Sequence, residues 1–244
     1  MPIEPILYTR ALEKRFGGVK AVAGVDFSLA PGELRCLIGP NGAGKSTFFK
    51  LVTGQLVASS GEIYLMGGAV HANHPHEIAA RGVGIKNQIP DVMNGLTARQ
   101  NIWLAASRWH PATEVDKVVR NIAERLGLGS VLDKRVGILA HGQRQWVEIA
   151  LVLSARPKII LLDEPAAGMS DEETEATANL LRELNVDTTI VVVEHDMHFI
   201  RAVARQVTVF HQGQILLEGS FDEVTANSVV RDVYLGRATG TQHA

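Results

Sequence analysis

The chain of 244 residues has one cysteine, Cys36. No disulfide can form within it, which fits a reducing compartment. An excess of one charge is also missing. Lys and Arg number 24 and Asp and Glu 26, for a formal net charge of −2. Domains held to nucleic acid by bulk charge are usually basic, so no nucleic-acid partner is expected. No run approaches the roughly 18 apolar residues that a membrane-crossing helix needs. The densest apolar runs, 159–162 and 190–193, have strand length. The first fifteen residues mix charges with apolar side chains and show no signal-peptide core, so no export is expected. Repeats and low-complexity segments are absent too. What is present is ordinary globular composition, 46% hydrophobic and 20% charged.

Gly and Pro divide the chain into a mixed pattern. Apolar spacing predicts strands at 6–8, 25–29, 34–38, 61–65, 159–162, 188–193 and 207–210. It predicts helices at 46–52, 99–108, 114–126, 143–155, 172–184 and 197–204, with the fourth stopped by Pro157. Strands alternate with helices through the second half, which predicts an α/β fold of parallel strands covered by helices. The strands at 6–8, 25–29 and 34–38 are more closely spaced and suggest an antiparallel β layer beside the main sheet. The stretch 87–137 has little strand signal. With the helix that follows, it reads as a helical subdomain over 87–155, inserted into a core of 1–86 and 156–236. A small polar tail, 237–244, completes this single domain and is expected to fray.

The strongest chemical signal is Gly39-Pro40-Asn41-Gly42-Ala43-Gly44-Lys45-Ser46. It matches G-x-x-x-x-G-K-[ST] and lies between a predicted strand and a predicted helix, the context the motif requires. Glycines let backbone N–H groups turn inward around phosphate oxygens. The helix that follows presents its positive end to the same anion. Lys45 is placed to reach the β- and γ-phosphates and Ser46 to ligate Mg²⁺. Gly39, Asn41, Gly42, Gly44, Lys45, Ser46 and Thr47 form the expected nucleotide-binding set. The second signal is an apolar strand ending in Asp163 and Glu164. Beside a phosphate loop, the first carboxylate suits Mg²⁺ and the second suits polarising a water.

The stretch Leu139-Ala140-His141-Gly142-Gln143, taken with these residues, resembles the signature motif of ATP-binding-cassette (ABC) ATPases, which usually reads Leu-Ser-Gly-Gly-Gln. The resemblance runs from about Leu7 to Val224 and implies the phosphate-loop ABC ATPase fold, with ATP and Mg²⁺ as cofactors. It implies Glu164, His195 and Lys45 as the catalytic set, His195 being the switch histidine at the γ-phosphate. It implies Gln88 as the glutamine that senses Mg²⁺, beside Ser46 and Asp163, and Phe16 as the aromatic stacked on adenine. Two cassettes of this family dimerise head to tail, so Ala140, His141, Gly142 and Gln143 would act on the ATP of a partner cassette. The implied partners are transmembrane permease subunits, a second ABC ATPase (a different chain or a second copy of this one) and, indirectly, a periplasmic solute-binding protein. The implied location is the cytoplasmic face of the cell membrane.

The segments 163–169 and 194–197 look like importers of branched-chain amino acids, urea and related amides. His141-Gly142-Gln143 followed by Gln145, Trp146 and Glu148 leans toward the urea or short-chain amide branch. The alternative is a soluble, non-transport ABC ATPase. Three positions depart from the family pattern. Ala140 replaces a serine whose hydroxyl would meet the γ-phosphate, and His141 replaces a glycine. Ser170 stands where many cassettes have an aspartate. Trp103, Trp109 and Trp146 read as packing or interface residues.

Overall fold

The computed structural model describes residues 4–70, 74–87 and 91–235. Strands Leu7–Phe16 (β1), Val19–Leu29 (β2), Ser60–Leu65 (β4) and Gly68–Ala69 (β5) pair antiparallel in the order β2-β1-β4-β5. β1 is longer than the 6–8 segment that apolar spacing predicts. Its second half is charged and follows an irregularity at Ala11, where φ is +44°. Asp26 holds that irregularity by accepting the Ala11 N–H at 2.7 Å.

Leu34–Ile38 (β3), Val83–Lys86 (β6), Ile159–Asp163 (β7), Thr189–Val193 (β8), Gln206–His211 (β9) and Gln214–Gly219 (β10) form the second sheet. Its order is β10-β9-β3-β8-β7-β6, and only the β9–β10 pairing is antiparallel. The 34–38 segment therefore does not belong to the antiparallel layer, contrary to its spacing. The physical reason is burial. All five residues of β3 are buried, a pattern that suits a central strand covered on both faces.

The two faces of this sheet feed two cores. Leu34, Cys36, Ile38, Ile160, Leu162, Ile190 and Val192 pack toward one set of helices. That set is Ala98–Ser107 (α3), Ala112–Arg125 (α4), His141–Leu153 (α5), Asp171–Leu184 (α6) and Met197–Val203 (α7). Leu37, Leu161, Val191, Val193 and Phe210 face the antiparallel sheet and the helix Lys45–Val52 (α1), whose Phe48 and Phe49 fill the space between. Phe48 packs on Phe27 and Phe210 with ring centroids 5.2 and 5.3 Å apart. Burying side chains of this size stabilises by about 1.5–3 kcal/mol each. A short helix, Pro75–Ala80 (α2), leads into β6, and Phe221–Ala226 (α8) and Ser228–Leu235 (α9) follow β10. Helices α3, α4 and α5 pack on one another.

Candidate functional site

The phosphate loop leaves β3 and closes through glycines. Gly39, Gly42 and Gly44 have φ of +148°, +79° and +106°. A methyl at Gly39 would collide with the Phe210 carbonyl oxygen, and one at Gly44 with that of Ala21. At these two positions the loop is pressed against β9 and β2 so closely that no side chain fits. Gly213 seals it by donating its N–H to the Ala43 carbonyl at 2.9 Å. α1 starts at Lys45 with no acidic residue in its first turn, so its positive end is free to face an anion. Lys45 Nζ donates to the carbonyls of Gly39 (2.6 Å) and Pro40 (3.2 Å). Burial lowers the Lys45 amine, and the Glu164 and Asp163 carboxylates oppose that. Ser46 and Asn41 are exposed and Thr47 is half-buried, all on this loop and its helix.

Two neighbouring strands deliver the carboxylates and the histidine. β7 ends at Asp163, whose carboxyl is pushed up by burial and then by Glu164. Lys86, Lys50 and Lys45 pull it back. Crowded carboxylates beside a phosphate cradle suit a divalent cation. Among the described residues no three His, Cys, Asp or Glu cluster to hold a metal. Of the described residues, Ser46 and Asp163 would hold a Mg²⁺ ion here, and phosphate and water would supply further ligands, as is common for Mg²⁺. Glu164 has φ of +47°, a conformation rare outside glycine. Its N–H is held by the Val193 carbonyl at 2.9 Å. His195, just beyond β8, brings Nδ1 to 3.5 Å from Glu164 Oε1. The fold thus unites the two residues that the resemblance pairs.

The signature lies apart, at the start of α5. Ala140 is the residue before the helix and offers no side-chain cap. Only Gln143 reaches back, accepting the Ala140 N–H at 3.4 Å. His141 turns toward its own chain, donating from Nε2 to the Ala167 carbonyl at 2.8 Å. With that nitrogen protonated, a flipped Gln145 carboxamide, 3.2 Å away, brings the otherwise partnerless Oε1 to the same N–H. A side chain at Gly142 would press on the Glu173 carboxylate. Trp146 Nε1 donates to Thr177 Oγ1 at 2.9 Å, so it is a packing residue. Ser170 is used locally. It caps α6 by accepting the Glu173 N–H at 3.2 Å.

Other expected positions are more scattered. Phe16 is 49% exposed at the tip of the β1–β2 hairpin, with Lys14 Nζ 5.3 Å from its ring centroid. β2 of that hairpin touches the phosphate loop at Ala21, so Phe16 is carried on an element adjoining it. Gln88 lies outside the described residues. Its neighbour Asn87 pairs with Gln55 at 2.9 Å. Two groups escaped the sequence reading. Lys86 and Glu148 form a buried ion pair, 3.5 Å apart, between β6 and α5. Burial lowers Lys86 and raises Glu148, each partly offset by the other. A lysine closing an apolar strand was the one available signal. Glu194, next to His195, is 1% exposed.

The family model for ABC transporters matches residues 22–167. The chain belongs to the ABC transporter family. It is 32% identical to the high-affinity branched-chain amino acid transport ATP-binding protein BraF of Pseudomonas aeruginosa, over 96% of this chain and 99% of BraF. It is equally identical, 32%, to the ribose import ATP-binding protein RbsA of Halalkalibacterium halodurans, over 97% of this chain and 49% of RbsA. The crystal structure of the ADP conformation of MJ1267, an ATP-binding cassette of an ABC transporter, superposes with a TM-score of 0.86. Identity to MJ1267 is 29%, over 95% of this chain and 99% of MJ1267. The fold is thus that of an ABC ATPase, and the chain is an ATPase of this family. Among the described residues no helix is long and apolar enough to cross a membrane.

Proposed function

We propose that this ABC ATPase powers the import of branched-chain amino acids, urea or short-chain amides. ATP hydrolysis rests on the pairing of Glu164 with His195 at the carboxyl ends of β7 and β8, beside the phosphate loop, and the solute class rests on the 32% identity to BraF along nearly the whole of both chains. In this reading ATP seats its phosphates on the N–H groups of 39–46, with Phe16 against adenine. Lys45 leaves the Gly39 and Pro40 carbonyls for the β- and γ-phosphates. Bound Mg²⁺ supplies neutralisation of phosphate charge, held by Ser46 and Asp163, with Gln88 the further ligand that the resemblance implies. Glu164 polarises the attacking water and takes its proton. The water oxygen bonds to the γ-phosphorus as the bond to ADP breaks, yielding ADP and phosphate. His195 orients Glu164 through Nδ1 and meets the γ-phosphate. Positioning and electrostatics supply most of the acceleration in such transfers.

Ala140–Gln143 of one cassette act on the ATP of a second cassette, which is a different chain or another copy. The permease docks on the helical subdomain, where Trp103 and Leu104 of α3 are 40% and 44% exposed. In this reading the chain sits on the cytoplasmic face of the membrane, and a periplasmic binding protein delivers solute to the permease. The equal identity to RbsA supports a second reading, a sugar importer. Uptake of labelled leucine, urea and ribose by the source cells, with and without Glu164→Gln in this chain, separates the readings. Loss of leucine or urea uptake is expected. Loss of ribose uptake alone supports the second reading, and three unchanged rates overturn both.

A further inference from the structure

Glu194 is a buried carboxylate with no part in the chemistry described above. It is 1% exposed, yet its two oxygens meet three backbone N–H groups from two different loops. Oε1 accepts from Ala166 at 3.1 Å. Oε2 accepts from His195 at 2.9 Å and Asp196 at 3.4 Å, and lies 3.7 Å from His195 Nδ1. Ala166 is two residues beyond Glu164, whose own backbone is in the left-handed region. One carboxylate therefore ties the loop of the proposed general base to the loop of the proposed switch histidine. Burying a carboxylate is costly unless its lone pairs are satisfied, and hydrogen bonds to an ionised acceptor are the stronger kind. A side chain that only filled this space would be apolar and would hold neither loop.

We infer that Glu194 is a positioning residue for ATP hydrolysis. It fixes the His195 ring against Glu164 by clamping both loops at once. This rests on the reading above, in which Glu164 and His195 serve hydrolysis. Buried behind both loops, Glu194 would act through them and not by direct contact with the nucleotide. Removing its charge should lower turnover and leave nucleotide affinity alone. Misplacing a catalytic group by about an ångström can cost on the order of 10²-fold.

The test is a double-mutant cycle in ATP turnover with wild type, Glu194→Gln, His195→Ala and the double variant. Glu194→Gln should lower kcat by roughly 10-fold to 10²-fold, with KM for Mg-ATP within about twofold of wild type. In the His195→Ala background the same change should cost clearly less than in wild type, because only the hold on the Glu164 loop is left to lose. Glu194→Gln turnover equal to wild type, or an equal loss in both backgrounds, overturns the inference. Ring nitrogen shifts of His195, read by two-dimensional ¹⁵N NMR on the same proteins, give a readout independent of turnover. They should move in Glu194→Gln, and unchanged shifts overturn the inference. A wild type that binds Mg-ATP without hydrolysing it, even within its assembled transporter, argues against the hydrolytic reading, and the NMR shifts then decide the role of Glu194 alone. Should Glu194→Gln fail to fold, Glu194→Asp carries the same comparisons, because it keeps the charge and withdraws it by one methylene.

Discussion

At the phosphate loop, backbone presses on backbone. Gly39 and Gly44 sit against the carbonyls of Phe210 and Ala21, and the loop has no freedom to be anything else. At the signature, side chains do the holding. His141 bonds Ala167, Gln143 reaches Ala140, and Glu173 covers Gly142. Both regions are named by short motifs, but they answer to different constraints. The loop must surround a phosphate that this chain binds, so its shape is built into the strand and helix that flank it. In the proposed reading the signature meets a nucleotide on another chain, so its side chains are free to tie Ala140 and His141 back to its own surface. A hydrolytic half is then paired with a signature half that lacks the usual serine.

The sharpest way to break that contrast is at Glu164. Glu164→Gln should lower ATP turnover by about 10²–10⁴-fold, the range for losing a general base. Equilibrium binding of Mg-ATP should persist. The next effect is on stability. The Lys86–Glu148 pair links β6 to the signature helix, and one oxygen of Glu148 has no hydrogen-bond partner among the described residues. Lys86→Met alone strands a buried carboxylate and should cost about 3–5 kcal/mol in a denaturant titration. Replacing both residues by Met should recover most of it, because buried ion pairs seldom outperform apolar packing. Smaller again is Ala140→Ser. It restores one hydrogen bond to a charged group, worth about 1.5–3 kcal/mol, so turnover limited by this signature should rise about tenfold or more. An unchanged rate would mean that His141 already compensates.

The smallest effect follows pH. Burial and the Glu164 charge raise the Asp163 carboxyl in the folded chain. The folded state then holds that proton more tightly than the unfolded state. Stability falls as pH climbs from the ordinary aspartate range, about 4, through the raised value. Asp163→Asn should therefore raise the melting temperature of the nucleotide-free chain near neutral pH. The gain should shrink toward about pH 4 and vanish about one unit lower, where Asp163 is protonated in both states.

How much of this was legible in the sequence depends on how local each feature is. The phosphate loop occupies consecutive residues, so β3 and α1 fall within one residue of their expected bounds. The helices 99–108, 114–126 and 172–184 are shifted by no more than two residues, because their apolar spacing persists for three turns or more. The charged half of β1 was concealed because its stability comes from pairing with β2 and β4 and not from apolar alternation. β10 was missed for a similar reason, since none of its residues is fully buried. The position of β3 in the parallel sheet is a long-range fact, set by β8 and β9. Glu194 and the Lys86–Glu148 pair were not legible as partners, because burial and pairing across distant segments leave no local pattern.

The most direct test of the account is ATP turnover of the purified chain against its own concentration, with Glu164→Gln alongside. The account predicts that where a second copy supplies the signature, turnover rises more than linearly and disappears in the variant; where a different cassette supplies it, the chain alone binds Mg-ATP without turnover. Turnover strictly proportional to concentration, or surviving in Glu164→Gln, would contradict it.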